Sequence, residues 1–177
     1  MKRLGLLRHA KSDWDDLALR DFDRGLNDRG RRGAALMGAH IAGYGAEWGL
    51  ILASPAERVR RTLDASGLTA PVRFAPDAYL ADSATLIGLL RAVDEREPAV
   101  LLVGHNPGLQ ELALDLVAPE AEDRLFCDVL AKFPTAAFAV LELDIDNWRD
   151  CAPGCGRIVH FARPRDIDPA LGPEQVG

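Results

Sequence analysis

Apolar residues fall along this chain in two rhythms. Short unbroken runs bounded by charged or turn residues predict buried strands, and apolar positions three or four apart predict helices packed by one face. Leu4-Gly-Leu-Leu7, Trp48 to Ala53, Val72 to Ala75 and Ala99 to Gly104 are of the first kind. The last is apolar throughout, which predicts a central parallel strand. Helical spacing appears over 28 to 43, where Asn27 is a suitable N-cap and Ala34, Met37, Ile41 and Tyr44 share a face. Ser54-Pro-Ala-Glu57 reads as a capping box with proline at the first helical position, opening a helix that buries Val59 and Leu63. Asp82 or Ser83 caps a third helix through Leu86, Leu89, Leu90 and Val93, and Pro107 opens a fourth through Leu109, Leu112, Ala113 and Leu116.

Between these elements, residues 11 to 26 show no period and predict a long loop, a feature often tied to function in compact domains. Beyond Pro119 the pattern is sparser. Ala136 to Leu143 and Arg157 to Phe161 predict a hairpin at the sheet edge, and the prolines from Arg163 onward predict a poorly ordered tail. The alternation of strands and helices implies an α/β fold: a three-layer sandwich around a central, mostly parallel sheet, with one domain over 1 to 162 and the tail over 163 to 177.

Composition narrows the function classes. Hydrophobic residues at 48% and charged ones at 27% describe a globular chain, and a net charge of −6 without a basic stripe argues against general nucleic-acid binding. No run is long enough for a membrane span, and the apolar stretch after Met1-Lys-Arg3 is too short for a signal peptide, so a cytoplasmic protein is expected. Three cysteines, Cys127, Cys151 and Cys155, are an odd number, which disfavours a disulfide framework. Cys151 and Cys155 with His160 would leave a zinc site short of ligands.

Charged side chains sit where three of the strands end. Arg8 and His9 follow the first, Arg58 lies in the first helical turn after the second, and His105 follows the most apolar one. In a parallel sheet these ends share one edge, where ligands of such sheets bind. Two guanidiniums offer forks for phosphate oxygens, and an imidazole offers a donor or a nucleophilic nitrogen. A first-turn arginine opposes the helix dipole, so an anion would account for Arg58, whereas Arg60 and Arg61 read as solvated. His40 shares an apolar helix face and His160 alternates within a strand, so both read as structural.

Arg8-His9-Ala10, Leu26-Asn-Asp-Arg-Gly30, Ser54-Pro-Ala-Glu-Arg58 with Thr62, and Val103-Gly-His-Asn-Pro107 together resemble the histidine phosphatase superfamily, whose fold is phosphoglycerate mutase-like. Alanine after the histidine and the short length most resemble the SixA-type phosphohistidine phosphatase branch. The resemblance implies that His9 accepts the phosphoryl group, that Arg8 and Arg58 bind its oxygens with Asn106 nearby, and that His105 stabilises the transferring charge. It implies a phosphorylated substrate, protein phosphohistidine among the candidates, with no cofactor and no metal. In two places the chain departs from the pattern. Asp15 stands where the mutases carry a phosphate-binding asparagine and is expected to point away, and Asp82 is the nearest candidate for the general acid. The alternative readings are a mutase-like phosphotransferase, disfavoured by the lack of sequence for a lid, and a phospho-ligand binding module without turnover.

Overall fold

The computed structural model describes residues 1–172. Six strands form one sheet: β1 (Lys2–Arg8), β2 (Leu50–Ala53), β3 (Val72–Phe74), β4 (Ala99–Gly104), β5 (Phe138–Leu143) and β6 (Gly156–Ala162), in the order β3-β2-β4-β1-β5-β6. β3, β2, β4 and β1 run parallel, β5 is antiparallel to β1, and β6 returns beside β5 as the expected edge hairpin. Among the described residues six α-helices accompany the sheet: α1 (Asp28–Gly43), α2 (Glu57–Ser66), α3 (Ser83–Arg91), α4 (Gly108–Leu116), α5 (Arg124–Ala131) and α6 (Pro164–Ile167).

The three layers follow from strand alternation. Val100 and Leu102 of β4 point into a core shared with Leu86 and Leu90 of α3 and Leu109, Leu112 and Leu116 of α4. Their neighbours Leu101 and Val103 point to the other face, against Met37 and Ile41 of α1 and Val59 and Leu63 of α2. A strand covered by helices on both faces must be apolar at every position, and β4 is buried along its whole length. Gly5 interrupts β1 for a packing reason: a Cβ there would lie 2.8 Å from the indole of Trp48 and 2.9 Å from Leu101.

Several expectations shift. Ser54 does not open α2, which starts at Glu57 after Ala56. The strand expected from Ala136 begins at Phe138, because Ala136 lies in the left-handed region (φ 60°) and its amide donates to the carbonyls of both Arg8 and His9. α5 was not expected; Asp123 caps it by accepting from the Phe126 amide. The stretch from Arg163, expected to be poorly ordered, is folded as far as Gly172: Pro164 starts α6, and Asp166 accepts from the backbone and side chain of Arg163. Residues 173–177 of the expected tail lie outside the described residues. No helix among the described residues is long and apolar enough to cross a membrane.

Candidate active site

The sheet's register places the two histidines side by side. Arg8 pairs with Gly104 at the ends of β1 and β4, the His9 amide donates to the Gly104 carbonyl (3.1 Å), and the His9 and His105 rings lie 5.2 Å apart at 54°. Both are buried. Nδ1 of His9 is 2.8 Å from the Ala10 carbonyl. A carbonyl can only accept, so Nδ1 carries the proton and Nε2 keeps its lone pair. Burial pushes the His9 pKa down, the Ala10 hydrogen bond opposes this, and the Arg58 and Arg8 charges add to the fall, leaving it at about 4. Near neutral pH the ring is therefore uncharged, with Nε2 nucleophilic.

His105 is held by a residue misread in the sequence. The Ser54 hydroxyl lies 2.7 Å from His105 Nε2 and accepts from the Ala56 amide at 3.3 Å. Ser54 is fully buried, and its own proton can be satisfied only at His105 Nε2, so Nδ1 of His105 carries the ring proton. That Nδ1 is buried with no partner among the described residues, as is Nε of Arg8. Two unpaired buried donors at the same sheet edge are costly unless an acceptor, such as a phosphate oxygen, completes them. Burial, His9 and Arg58 together lower the His105 pKa to about 3, so it too is uncharged near neutral pH.

The arginines are fixed from behind. Arg8 Nη1 donates to the Phe133 carbonyl (3.1 Å), and the same carbonyl accepts from Asn106 Nδ2 (2.8 Å). Asn106, expected to touch substrate, thus commits its amide nitrogen to this anchor. Arg58 is buried, and one turn further on Thr62 donates to the Arg58 carbonyl (2.7 Å) while accepting from the Ala10 amide (2.9 Å). Thr62 thereby ties the strand end of His9 to the helix of Arg58. Arg60 and Arg61 are exposed as expected; Arg61 pairs with Glu57 at 2.6 Å.

A carboxylate that the sequence did not single out completes the group. Arg58 donates to the Asp21 carbonyl (2.8 Å) and to Asp21 Oδ2 (3.0 Å), and the Tyr79 hydroxyl donates to the same Oδ2. The Tyr79 ring stands edge-on to His105 at 5.4 Å. Burial raises the Asp21 pKa, but the bonds from Tyr79 and Arg58 outweigh it and hold the carboxyl below its ordinary value. Asp21 reaches this position because Arg24, buried within the loop, donates to the carbonyls of Asp16 and Leu19 at 2.9 Å each and stacks over Trp14 at 4.0 Å. Asp82, in contrast, is exposed and caps α3 through the Thr85 amide (2.8 Å), which lowers its pKa. Asp15 is also exposed.

The other titratable motifs lie elsewhere. His160 Nε2 is 2.8 Å from His40 Nε2, which removes it from any zinc set with Cys151 and Cys155, and the described residues hold no group of three or more side chains spaced for a metal. The signal that could have found Asp21 and Tyr79 is absent from local pattern, since each is placed by loops.

The model of the histidine phosphatase superfamily (branch 1) matches residues 4–84. An uncharacterised protein of Mycobacterium tuberculosis is 36% identical over 160 residues, covering 90% of this chain and all of its own length. Among solved structures, a protein of Nakamurella multipartitia assigned as phosphohistidine phosphatase SixA superposes with a TM-score of 0.81 at 29% identity, covering 92% of this chain and 96% of that one. A protein of Agrobacterium tumefaciens with the same assignment gives a TM-score of 0.76 at 31% identity, covering 92% and 98%.

Proposed function

The chain belongs to the histidine phosphatase superfamily (branch 1), and from that premise we propose that it hydrolyses phosphoryl groups through a phosphohistidine formed on His9, with protein phosphohistidine as its substrate. The observation that carries the mechanism is the Nδ1 bond of His9 to the Ala10 carbonyl, which leaves a neutral Nε2 at the sheet edge. Nε2 attacks phosphorus, the bond from phosphorus to the leaving nitrogen or oxygen breaks, and the phosphoryl group passes to His9. Arg8 Nε, the Arg58 fork and His105 Nδ1–H are the donors for its oxygens, and such positioning supplies most of the catalysis in phosphoryl transfer. Cationic side chains do this work, so the reaction is proposed to need no metal.

When the phosphate takes Arg58, Asp21 loses its ion pair and faces a dianion, which raises its proton affinity. In this proposal Asp21, in place of Asp82, delivers the proton to the departing atom. Water, giving a proton back to the Asp21 carboxylate, then attacks phosphorus, the bond from phosphorus to His9 Nε2 breaks, and orthophosphate leaves with His9 in its free state. Residues 1 to 162 are assigned to this catalytic domain, acting in the cytoplasm.

The test is to trap the intermediate. Rapid quench without acid, using ³²P-labelled phosphohistidine protein, is expected to leave base-stable, acid-labile label on His9 and none in His9→Ala. Binding of substrate with neither label nor release of orthophosphate would instead establish a binding module.

A further inference from the structure

A second concave site lies on the far side of Ala10 from His9 and is lined by none of Arg8, His9, Arg58 or His105. It is a cavity of about 350 Å³ between Ala10–Lys11, the first turn of α1, the segment before β5 and the folded stretch that follows β6. Lys11, Arg29, Lys132, Arg163 and Arg165 line it, and no carboxylate among the described residues does, in a chain whose net charge is −6. Arg163 is offset by Asp166 at 2.9 Å, and Arg29 donates to the Gly172 carbonyl. Lys11, Lys132 and Arg165 make no ion pair among the described residues.

Like charges converging on one cavity repel unless an anion joins them, and the field is strongest where low-dielectric walls exclude water. One wall is close, since a Cβ on Gly30 would lie 2.1 Å from the Lys11 carbonyl and glycine lets α1 approach the loop after β1, while Lys11 and Lys132 themselves are exposed. The Gly30 amide is already taken by Asn27 Oδ1 (2.8 Å), which leaves recognition to the side chains. Guanidinium forks with ammonium groups suit phosphate oxygens. The volume is at the small end of ligand pockets, which favours a compact anion over a folded surface.

We infer that this cleft is a second anion site, distinct from the phosphoryl site, and that it takes a phosphate chain of two or more linked phosphates, as in a nucleoside diphosphate or inorganic polyphosphate. Its lining includes neither Arg58 nor His105, so it can be tested apart from catalysis. In an Arg58→Ala background, which disables the primary phosphate site, inorganic pyrophosphate binding is followed by calorimetry. Pyrophosphate is expected to bind at least about tenfold more tightly than orthophosphate, to weaken with salt, and to lose that binding in a Lys132→Glu, Arg165→Glu double variant. ADP against pyrophosphate then distinguishes nucleotide from inorganic chain. The double variant alone should keep p-nitrophenyl phosphate turnover within about twofold of the parent, the range of surface changes, and the milder Lys132→Ala, Arg165→Ala pair guards against misfolding. Pyrophosphate binding that is absent, or unchanged by both pairs, overturns the inference. Equal binding of a hexa-aspartate peptide overturns it in favour of an acidic protein segment. Neither result bears on whether His9 turns over substrate.

Discussion

The molecule contains two histidine pairs, and they spend their nitrogens differently. His40 and His160, between α1 and β6, meet head to head: their Nε2 atoms are 2.8 Å apart, the rings lie within 22° of one plane, and Tyr44 and Phe138 pack around them. Each occupies the other's Nε2. His9 and His105 are closely spaced but do not bond to each other; Ala10 holds one and Ser54 holds the other. That arrangement leaves one nitrogen of each ring for a third party beside the Arg8 and Arg58 guanidiniums, charges that His160 does not have next to it. The lesson is that a histidine is read by what its second nitrogen does, and proximity between imidazoles says little.

The sharpest way to break this contrast is to delete one member of each pair. His9→Ala is expected to abolish p-nitrophenyl phosphate turnover, by roughly four orders of magnitude or more as for loss of a nucleophile, while His40→Ala keeps kcat within about twofold. Comparable losses in steady-state rates would erase the distinction.

The arginines of α2 offer a smaller but cleaner contrast. Arg58→Ala should lower kcat/KM by on the order of several hundredfold, as for loss of an oxyanion donor, with Arg60→Ala and Arg61→Ala near the parent value. Equal effects at all three would replace the pocket with a diffuse basic surface.

Two aspartates then compete for the role of acid. Asp21→Asn should lower kcat by about a hundredfold for alkyl phosphates, whose leaving groups need a proton, and far less for p-nitrophenyl phosphate. Asp82→Ala should leave both rates unchanged and lower Tm by a few degrees, the effect of losing a cap. A leaving-group dependence that follows Asp82 would restore it as the acid.

The smallest effect is on stability. The folded pKa values of His9 and His105, about 4 and 3, lie below the ordinary 6.5. Between these limits the unfolded chain binds more protons than the folded one, so stability falls as pH drops from about 6.5 toward 4 and is full above that window. His160, lowered by burial and by His40, acts in the same direction. Tm measured from pH 7.5 to 4.5 should fall, and His105→Gln should flatten the slope more than His160→Gln. The reverse order would place the more strongly perturbed pair at α1 and β6. NMR titration of the His9 ring nitrogens should show a neutral ring down to about pH 4.

Much of this was written in local pattern. The apolar run of β4 required burial on both faces, so a central parallel strand followed, and with it the position of His105 at a ligand-bearing edge. Asn27 capped α1 as its side-chain chemistry predicts, and the spacing of Met37 and Ile41 determined which face of that helix meets the sheet. Tertiary structure decided what each polar group does once several partners compete for it. Ser54 matched a capping box, yet the approach of β4 brought His105 within reach of its hydroxyl, and the helix began later. Asp82 and Asp21 are equally acidic in sequence, but only Asp21 rides a loop that Arg24 folds back onto Arg58. Periodicity records which residues leave water, because burial depends on the residue's own side chain. Hydrogen-bond partnership is a property of two groups, and here the partners stand far apart in sequence, 51 residues at Ser54 and His105 and 125 at Arg8 and Phe133, where only the closed sheet could join them.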